Sequence, residues 1–146
     1  MTNVIIPENI HLIQINWIKE NTVVIPEKMD VNPIYNFQIT HTMMHNLEKE
    51  IVKIGIFVDM KCELNGKQIY QGGSYEADFV FKVDQLQSYY QLIENKPLFE
   101  GAFVGTLLGI SYSTIRGMLY SSWQKAELGN VILPVISIQE LMKSKR

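Results

Sequence analysis

The sequence predicts an α+β fold in which a four-stranded antiparallel sheet packs against one long helix in the C-terminal half. Two observations lead to this prediction. Up to position 83, apolar and polar residues alternate in four runs, which is the period of half-buried strands. Beyond position 101, apolar residues recur at spacings of three and four, which is the period of a helix. A sheet with one apolar face needs a cover, and the helix can provide it.

The first two runs predict the first two strands of the sheet. In the first run, one face would carry His11, Ile13, Ile15 and Trp17, and the other Leu12, Gln14, Asn16 and Ile18. The stretch "KENTVVIPEKMDVNP" follows, with two prolines and several charges, so we expect a connection there. In the second run, one face would carry Tyr35, Phe37, Ile39, His41 and Met43, before a charged turn at 48–50.

The third and fourth runs show the cleanest alternation. The third would bury Val52, Ile54, Ile56, Val58, Met60, Cys62 and Leu64, which makes the single cysteine a small buried hydrophobe rather than a nucleophile. Asn65-Gly66 is a strong hairpin signal because both residue types tolerate positive φ. The fourth run would bury Tyr75, Ala77, Phe79, Phe81 and Val83, and Gly72-Gly73 before it is typical of a β-bulge or bend.

The predicted helix has an unusual exposed side. Its buried stripe would contain Leu108, Tyr112, Ile115, Leu119, Ser122 and Ala126. Arg116 is the only charged residue between Gly101 and Lys125, and the side opposite the stripe is small, polar and uncharged. Either the rest of the chain or a second subunit covers that side. We expect a subunit, with an interface that contains Arg116, Tyr120 and Gln124, and one short helix after it near the end of the sequence.

Composition excludes several classes of protein. The 146 residues suit one domain spanning 1–146, and 47% hydrophobic with 19% charged residues is globular rather than disordered. A formal net charge of −2 argues against general affinity for nucleic acid. No signal peptide pattern and no apolar run of about 20 residues is present, so we expect a cytoplasmic protein that does not insert into membranes.

No constellation of catalytic residues stands out. His41 and His45 are four apart, but at the end of a strand they would not share the geometry of a helical metal site. Gly101, Gly105 and Gly109 lack the lysine of a phosphate-binding loop and are typical of close packing. We therefore expect a binding protein without catalytic residues, metal or cofactor, rather than an enzyme.

The order of the elements resembles the SecB family of export chaperones and their SecB-like relatives, from about Ile10 to Met142. "NWIKENTVVIPE" is similar to the family's first strand and its exit, and "IYQGGSYEADF" to its fourth-strand segment with paired glycines. "ISYSTIRGML" is similar to the start of the long helix, and "LPVISIQELM" to the segment that follows it.

The resemblance implies a chaperone that binds unfolded polypeptides in apolar grooves without ATP, and that assembles as a homo-oligomer, a dimer or a tetramer of paired dimers. It implies a role in protein export, through the export motor. The candidate client contacts are Trp17, Val23, Val24 and Ile25 from the first strand and its connection, with Tyr35, Phe37, Met43 and Met44 from the second.

The sequence also departs from SecB proper. Ser113 stands where the family has proline at the helix start, and the closing helix is shorter, followed by Lys145 and Arg146. The family's strongly acidic surface for the motor is absent at a net charge of −2. An alternative is therefore a SecB-fold adaptor or structural module that binds one dedicated protein partner, such as an antitoxin, without general chaperone activity.

Overall fold

A computed structural model of the chain describes residues 4–22, 34–64, 67–126, 128 and 131–146. Its strands are β1 (Ile10–Thr22), β2 (Ile34–Asn46), β3 (Ile51–Leu64), β4 (Lys67–Val83), β5 (Tyr90–Ile93) and β6 (Lys96–Phe99), and its helices are α1 (Gly101–Lys125) and α2 (Ile138–Lys143). Short 3-10 turns lie at Pro7–Asn9 and Leu86–Tyr89. The predicted architecture, a four-stranded antiparallel sheet with one long helix, is confirmed.

The large sheet has the strand order β1-β4-β3-β2, and each neighbouring pair is antiparallel. β1 and β2 are consecutive in sequence but lie at opposite edges, so the chain passes from one edge to the other between Thr22 and Ile34. The predicted turn at 48–50 lies within a turn at 47–50. The predicted Asn65-Gly66 hairpin lies outside the described residues, although Leu64 and Lys67 on either side are paired.

The two central strands supply the core, as the alternation predicts. From β3, the inward residues Val52 to Cys62 are fully buried, and burial raises the pKa of the Cys62 thiol. From β4, the five predicted inward residues Tyr75, Ala77, Phe79, Phe81 and Val83 are also buried. The glycine pair lies at the predicted bulge, because Gly73 pairs with Met60 and Gln71 with Lys61, which leaves Gly72 as the extra residue.

The predicted faces of β1 are wrong, and two β-bulges are the reason. The register with β4 shifts between Leu12 and Gln14, and again between Trp17 and Lys19. Each shift inserts one residue and reverses the alternation beyond it. The side chains that share a face with the buried residues of β4 are therefore Leu12, Ile15 and Trp17, rather than His11, Ile13, Ile15 and Trp17.

A small hairpin, β5–β6, precedes the long helix and was not predicted. Its turn residues Glu94 and Asn95 have φ values of 52° and 64°, the left-handed conformation of a two-residue hairpin. Phe99 stacks on Phe103 of α1 with ring centroids 5.9 Å apart. The hairpin is thereby attached to the first turn of α1.

The far end of α1 is anchored by Trp123. Leu108, Tyr112, Ile115 and Leu119 form the predicted buried stripe. At the end of the stripe Trp123 is fully buried, whereas the predicted Ser122 and Ala126 are only partly covered. The indole Nε1 donates to the Tyr75 hydroxyl at 2.8 Å, and the ring stacks on Phe37 at 5.7 Å. One side chain thus joins the helix to β4 and β2.

The two tryptophans of the chain make a matched test of this anchor. Trp123→Ala should lower the free energy of unfolding by about 3–5 kcal/mol, because it removes a buried aromatic ring and leaves a cavity. Trp17→Ala should lower it by less, about 1–2 kcal/mol, because Trp17 is 36% exposed and has less apolar surface to lose from burial. Urea unfolding followed by circular dichroism measures both, and equal losses would refute the anchor.

Candidate functional site

The face of the large sheet that packs against α1, called the inner face here, is fully covered only over the two central strands. At one edge, β1 places Leu12, Ile15 and Trp17 on this face, opposite the buried Phe81, Phe79 and Ala77. These three side chains, the β1 row, remain 37%, 41% and 36% exposed. An apolar row therefore lies open beside the core.

The opposite edge carries a second row on the same face. Tyr35, Phe37, Ile39 and Met43, the β2 row, pair with the buried Cys62, Met60, Val58 and Ile54 of β3. The four are half-buried and pack against the edge of the core. The predicted inner face of the second strand is thus confirmed, and it forms the margin of the apolar surface.

The structure does not bring the predicted client contacts together in one place. Trp17 lies in the β1 row, whereas Tyr35, Phe37 and Met43 lie in the β2 row, with β3, β4 and α1 between them. Met44 is 59% exposed on the other side of β2, the outer face. Val23, Val24 and Ile25 lie outside the described residues.

The outer face of the sheet differs in chemistry from the inner face. Lys53 on β3 forms an ion pair with Asp78 on β4, with Nζ and Oδ2 3.6 Å apart. Ser74 donates to Asp59 on the same face at 2.8 Å. Met44 therefore stands beside polar and charged neighbours, while Met43 adjoins the apolar inner face.

His41 lies on the inner face of β2 between Ile39 and Met43, but unlike them it is almost fully buried, at 4% exposed. Its Nδ1 lies 3.3 Å from the Ser144 hydroxyl, and its backbone is hydrogen-bonded to residues 144 and 146. Burial, with a smaller contribution from the nearby Lys145 ammonium, lowers the pKa of the imidazole. Sequence patterns gave no signal for this contact, since the partners are 103 residues apart.

Part of the side of α1 around Arg116 is covered by the chain itself, one of the two covers that the sequence left open. Arg116 Nε donates to the Leu133 carbonyl at 2.9 Å, and the Tyr112 hydroxyl donates to the Pro134 carbonyl at 2.5 Å. Burial raises the pKa of Tyr112 to about 12. α2 packs on the glycine series, since a Cβ at Gly105 would lie 2.7 Å from Ile138 Cγ2.

The rest of that side is open. Ser113, Gly117 and Gln124 are exposed, and Tyr120 is 39% exposed. A shallow groove of about 300 Å³ runs along it, lined by Ser113, Arg116, Gly117, Tyr120 and Ile132. A Cβ at Gly117 would meet no atom of the described part of the chain within 4 Å, so packing against those residues does not require glycine there. Of the predicted interface residues, Tyr120 and Gln124 are accessible, and Arg116 is half-buried.

Two further observations bear on the chemistry of the described residues. They contain no group of three or more histidine, cysteine, aspartate or glutamate side chains placed to hold a metal ion. None of the helices among them combines the length and apolar composition needed to span a membrane.

The lowered pKa of His41 predicts a pH dependence of stability. The unfolded histidine takes up a proton near its ordinary pKa of 6.5, but the folded one resists protonation until lower pH. The unfolded state then binds more protons, so the contribution of neutral His41 is complete above about pH 6.5 and is lost as the pH falls below it. Relative to His41→Asn, the wild type should lose stability between pH 7 and pH 5 in urea titrations. A difference that is constant or grows on acidification would contradict this.

Comparison with known proteins agrees with the fold. No protein-family model and no curated protein matches the sequence. Among solved structures, the chain is similar to the SecB-like chaperone Rv1957 of Mycobacterium tuberculosis, determined in complex with a ChAD peptide from the HigA1 antitoxin. The two superpose with a TM-score of 0.66 over 89% of this chain and 92% of that one, at 12% sequence identity. The predicted SecB-like fold is therefore confirmed at the level of architecture.

Proposed function

We propose that this protein is a SecB-like chaperone that binds unfolded polypeptides without using a nucleotide. The observation that carries the proposal is the pair of partly exposed apolar rows on the inner face, one at each edge of the sheet. The SecB-like fold supports it. Action in the cytoplasm, which the sequence led us to expect, belongs to the same proposal, as does a role in protein export, for which the fold is the only support.

The physical basis is hydrophobic burial at a surface that is already shaped. When an unfolded segment covers an apolar side chain of these rows, apolar surface of both partners is removed from water. The free energy gained is about 25 cal/mol per Å² of apolar surface buried. The rows are continuous with a fixed core, so the protein loses little conformational freedom on binding. Leu12, Ile15 and Trp17 form an exposed apolar row, and a surface of this kind can contact many different sequences.

A second candidate function is a SecB-fold adaptor for one dedicated partner, of the antitoxin type. The related structure favours it, because that SecB-like chaperone was determined with a peptide from an antitoxin. The two functions differ in breadth: a general chaperone should bind unrelated unfolded proteins, whereas an adaptor should bind one.

We further propose that the protein is a homo-oligomer, a dimer or tetramer, in which the open side of α1 meets another subunit. Gly117 supports this part of the proposal. A glycine in the middle of a helix costs about 1 kcal/mol relative to alanine, and no contact with the residues that the structure describes explains it. Close approach of a second backbone would explain it, with Tyr120 and Gln124 beside the contact.

The first test is suppression of aggregation. A reduced, denatured model protein diluted into buffer should stay in solution when the protein is present at equal molar amounts without ATP, as light scattering shows. Repeating the assay with unrelated clients separates the two candidates. Protection of several supports the chaperone, and failure with all of them, by a folded protein, would leave the dedicated partner.

Neighbouring methionines give a matched pair for the binding surface. Met43→Ser removes an apolar contact from the inner face, so suppression should require severalfold more protein, as expected for about 1 kcal/mol of lost contact. Met44→Ser, on the polar outer face, should behave as wild type despite its greater exposure. Thermal unfolding of both variants controls for folding, and a larger effect at Met44 would place clients on the outer face.

The oligomer is tested at Gly117. Gly117→Glu places a charge on the open side of α1 without a clash inside the chain, so it should reduce the mass in sedimentation velocity to that of the monomer. Gln91→Glu, at an exposed residue of β5, makes the same charge change elsewhere and should leave the mass unchanged. A monomeric wild type would refute the oligomer.

A further inference from the structure

Residues 144–146 run along the outer edge of β2. The His41 amide donates to the Ser144 carbonyl at 3.0 Å, and the Arg146 amide donates to the His41 carbonyl at 2.8 Å. Lys145 and His41 thus form a parallel β-bridge. The edge of β2 thus already pairs with the backbone around one residue, Lys145, in one defined direction.

His41 is not the only residue of β2 whose backbone hydrogen-bonding groups face away from β3. Along an antiparallel strand, backbone groups point alternately toward each neighbour. Since His41 directs its amide and carbonyl away from β3, so do Phe37, Ile39 and Met43. Among the described residues, Lys145 makes the only bridge on this side of β2. The same residues carry the apolar side chains of the β2 row, so one edge offers both hydrogen bonds and apolar contact.

The 144–146 segment is held in its place by polar contacts, without hydrophobic burial of its own side chains. The Ser144 hydroxyl lies beside His41 Nδ1, and the Arg146 guanidinium lies 3.9 Å from the centre of the Phe57 ring on the outer face. Lys145 and Arg146 are exposed, and none of the three residues is apolar. An incoming segment with apolar residues on the inner side would make the same backbone hydrogen bonds and add hydrophobic burial.

We propose that the β2 edge is a strand-addition site for an extended apolar client segment, which pairs parallel to β2, and that residues 144–146 are its internal competitor. The inference rests on the proposed function and adds the mode of binding. Main-chain hydrogen bonds give affinity that tolerates different sequences, while alternate side chains reach the β2 row. Because a client can pair only while the edge is free, the apparent affinity equals the intrinsic affinity multiplied by the fraction of time for which the segment leaves the edge.

The test uses a fluorescein-labelled peptide that alternates valine and serine, with fluorescence anisotropy as the readout. A chain ending at Lys143 should bind this peptide about tenfold more tightly than the full chain, as expected if the segment occupies the edge about nine-tenths of the time. Arg146→Pro, which removes one of the two backbone donors, should shift affinity the same way. A peptide N-methylated at alternate amides should bind more weakly to all forms.

A control variant distinguishes loss of the segment's backbone from loss of its positive charge. Lys145→Ala/Arg146→Ala removes the same charges but keeps the backbone, so it should tighten binding less than truncation. Equal tightening would assign the effect to charge and overturn the proposal, as would dimerisation of the truncated chain through the freed edge. Peptide binding that neither truncation nor N-methylation alters would overturn strand addition while leaving the chaperone intact. No binding and no suppression of aggregation would instead refute the proposed function.

Discussion

One helix is too narrow to cover a four-stranded sheet, and this mismatch organises the molecule. An α-helix is about 10 Å wide, whereas four strands span about 14 Å between the outermost axes. α1 therefore covers the apolar inward residues of β3 and β4 and leaves the apolar inward residues of β1 and β2 partly open. Both apolar rows, and the function proposed for them, follow from this difference in width.

The remaining elements attach the helix and the edge strands to the core without covering the two apolar rows. Trp123 fixes one end of α1 through Tyr75 and Phe37, and the β5–β6 hairpin fixes the other through Phe99. Ser122 on α1 is hydrogen-bonded to Glu20 of β1. The edges are thus rigidly placed while their side chains stay accessible, which is the condition for binding with little loss of conformational entropy.

The sequence predicted what depends on local period and missed what depends on distant contacts. Alternation identified the inward residues of β2, β3 and β4, since one buried face imposes a period of two. It failed on β1, because a bulge changes the register without changing composition. It did not predict the hydrogen bond between His41 and Ser144, or that Trp123 would be buried while Ser122 is only partly covered. Met43 and Met44 were both proposed as contacts, and only strand pairing separates their faces.

Hydrogen–deuterium exchange tests the central claim, that the partly covered edges of the sheet are where unfolded chains bind. It would be measured with and without a saturating amount of a reduced, carboxymethylated client. We expect exchange to slow in β2 (Ile34–Asn46), whose edge a client would occupy, and to be unchanged in the central strand β3 (Ile51–Leu64). Slower exchange confined to α1, with β1 and β2 unaffected, would contradict the account.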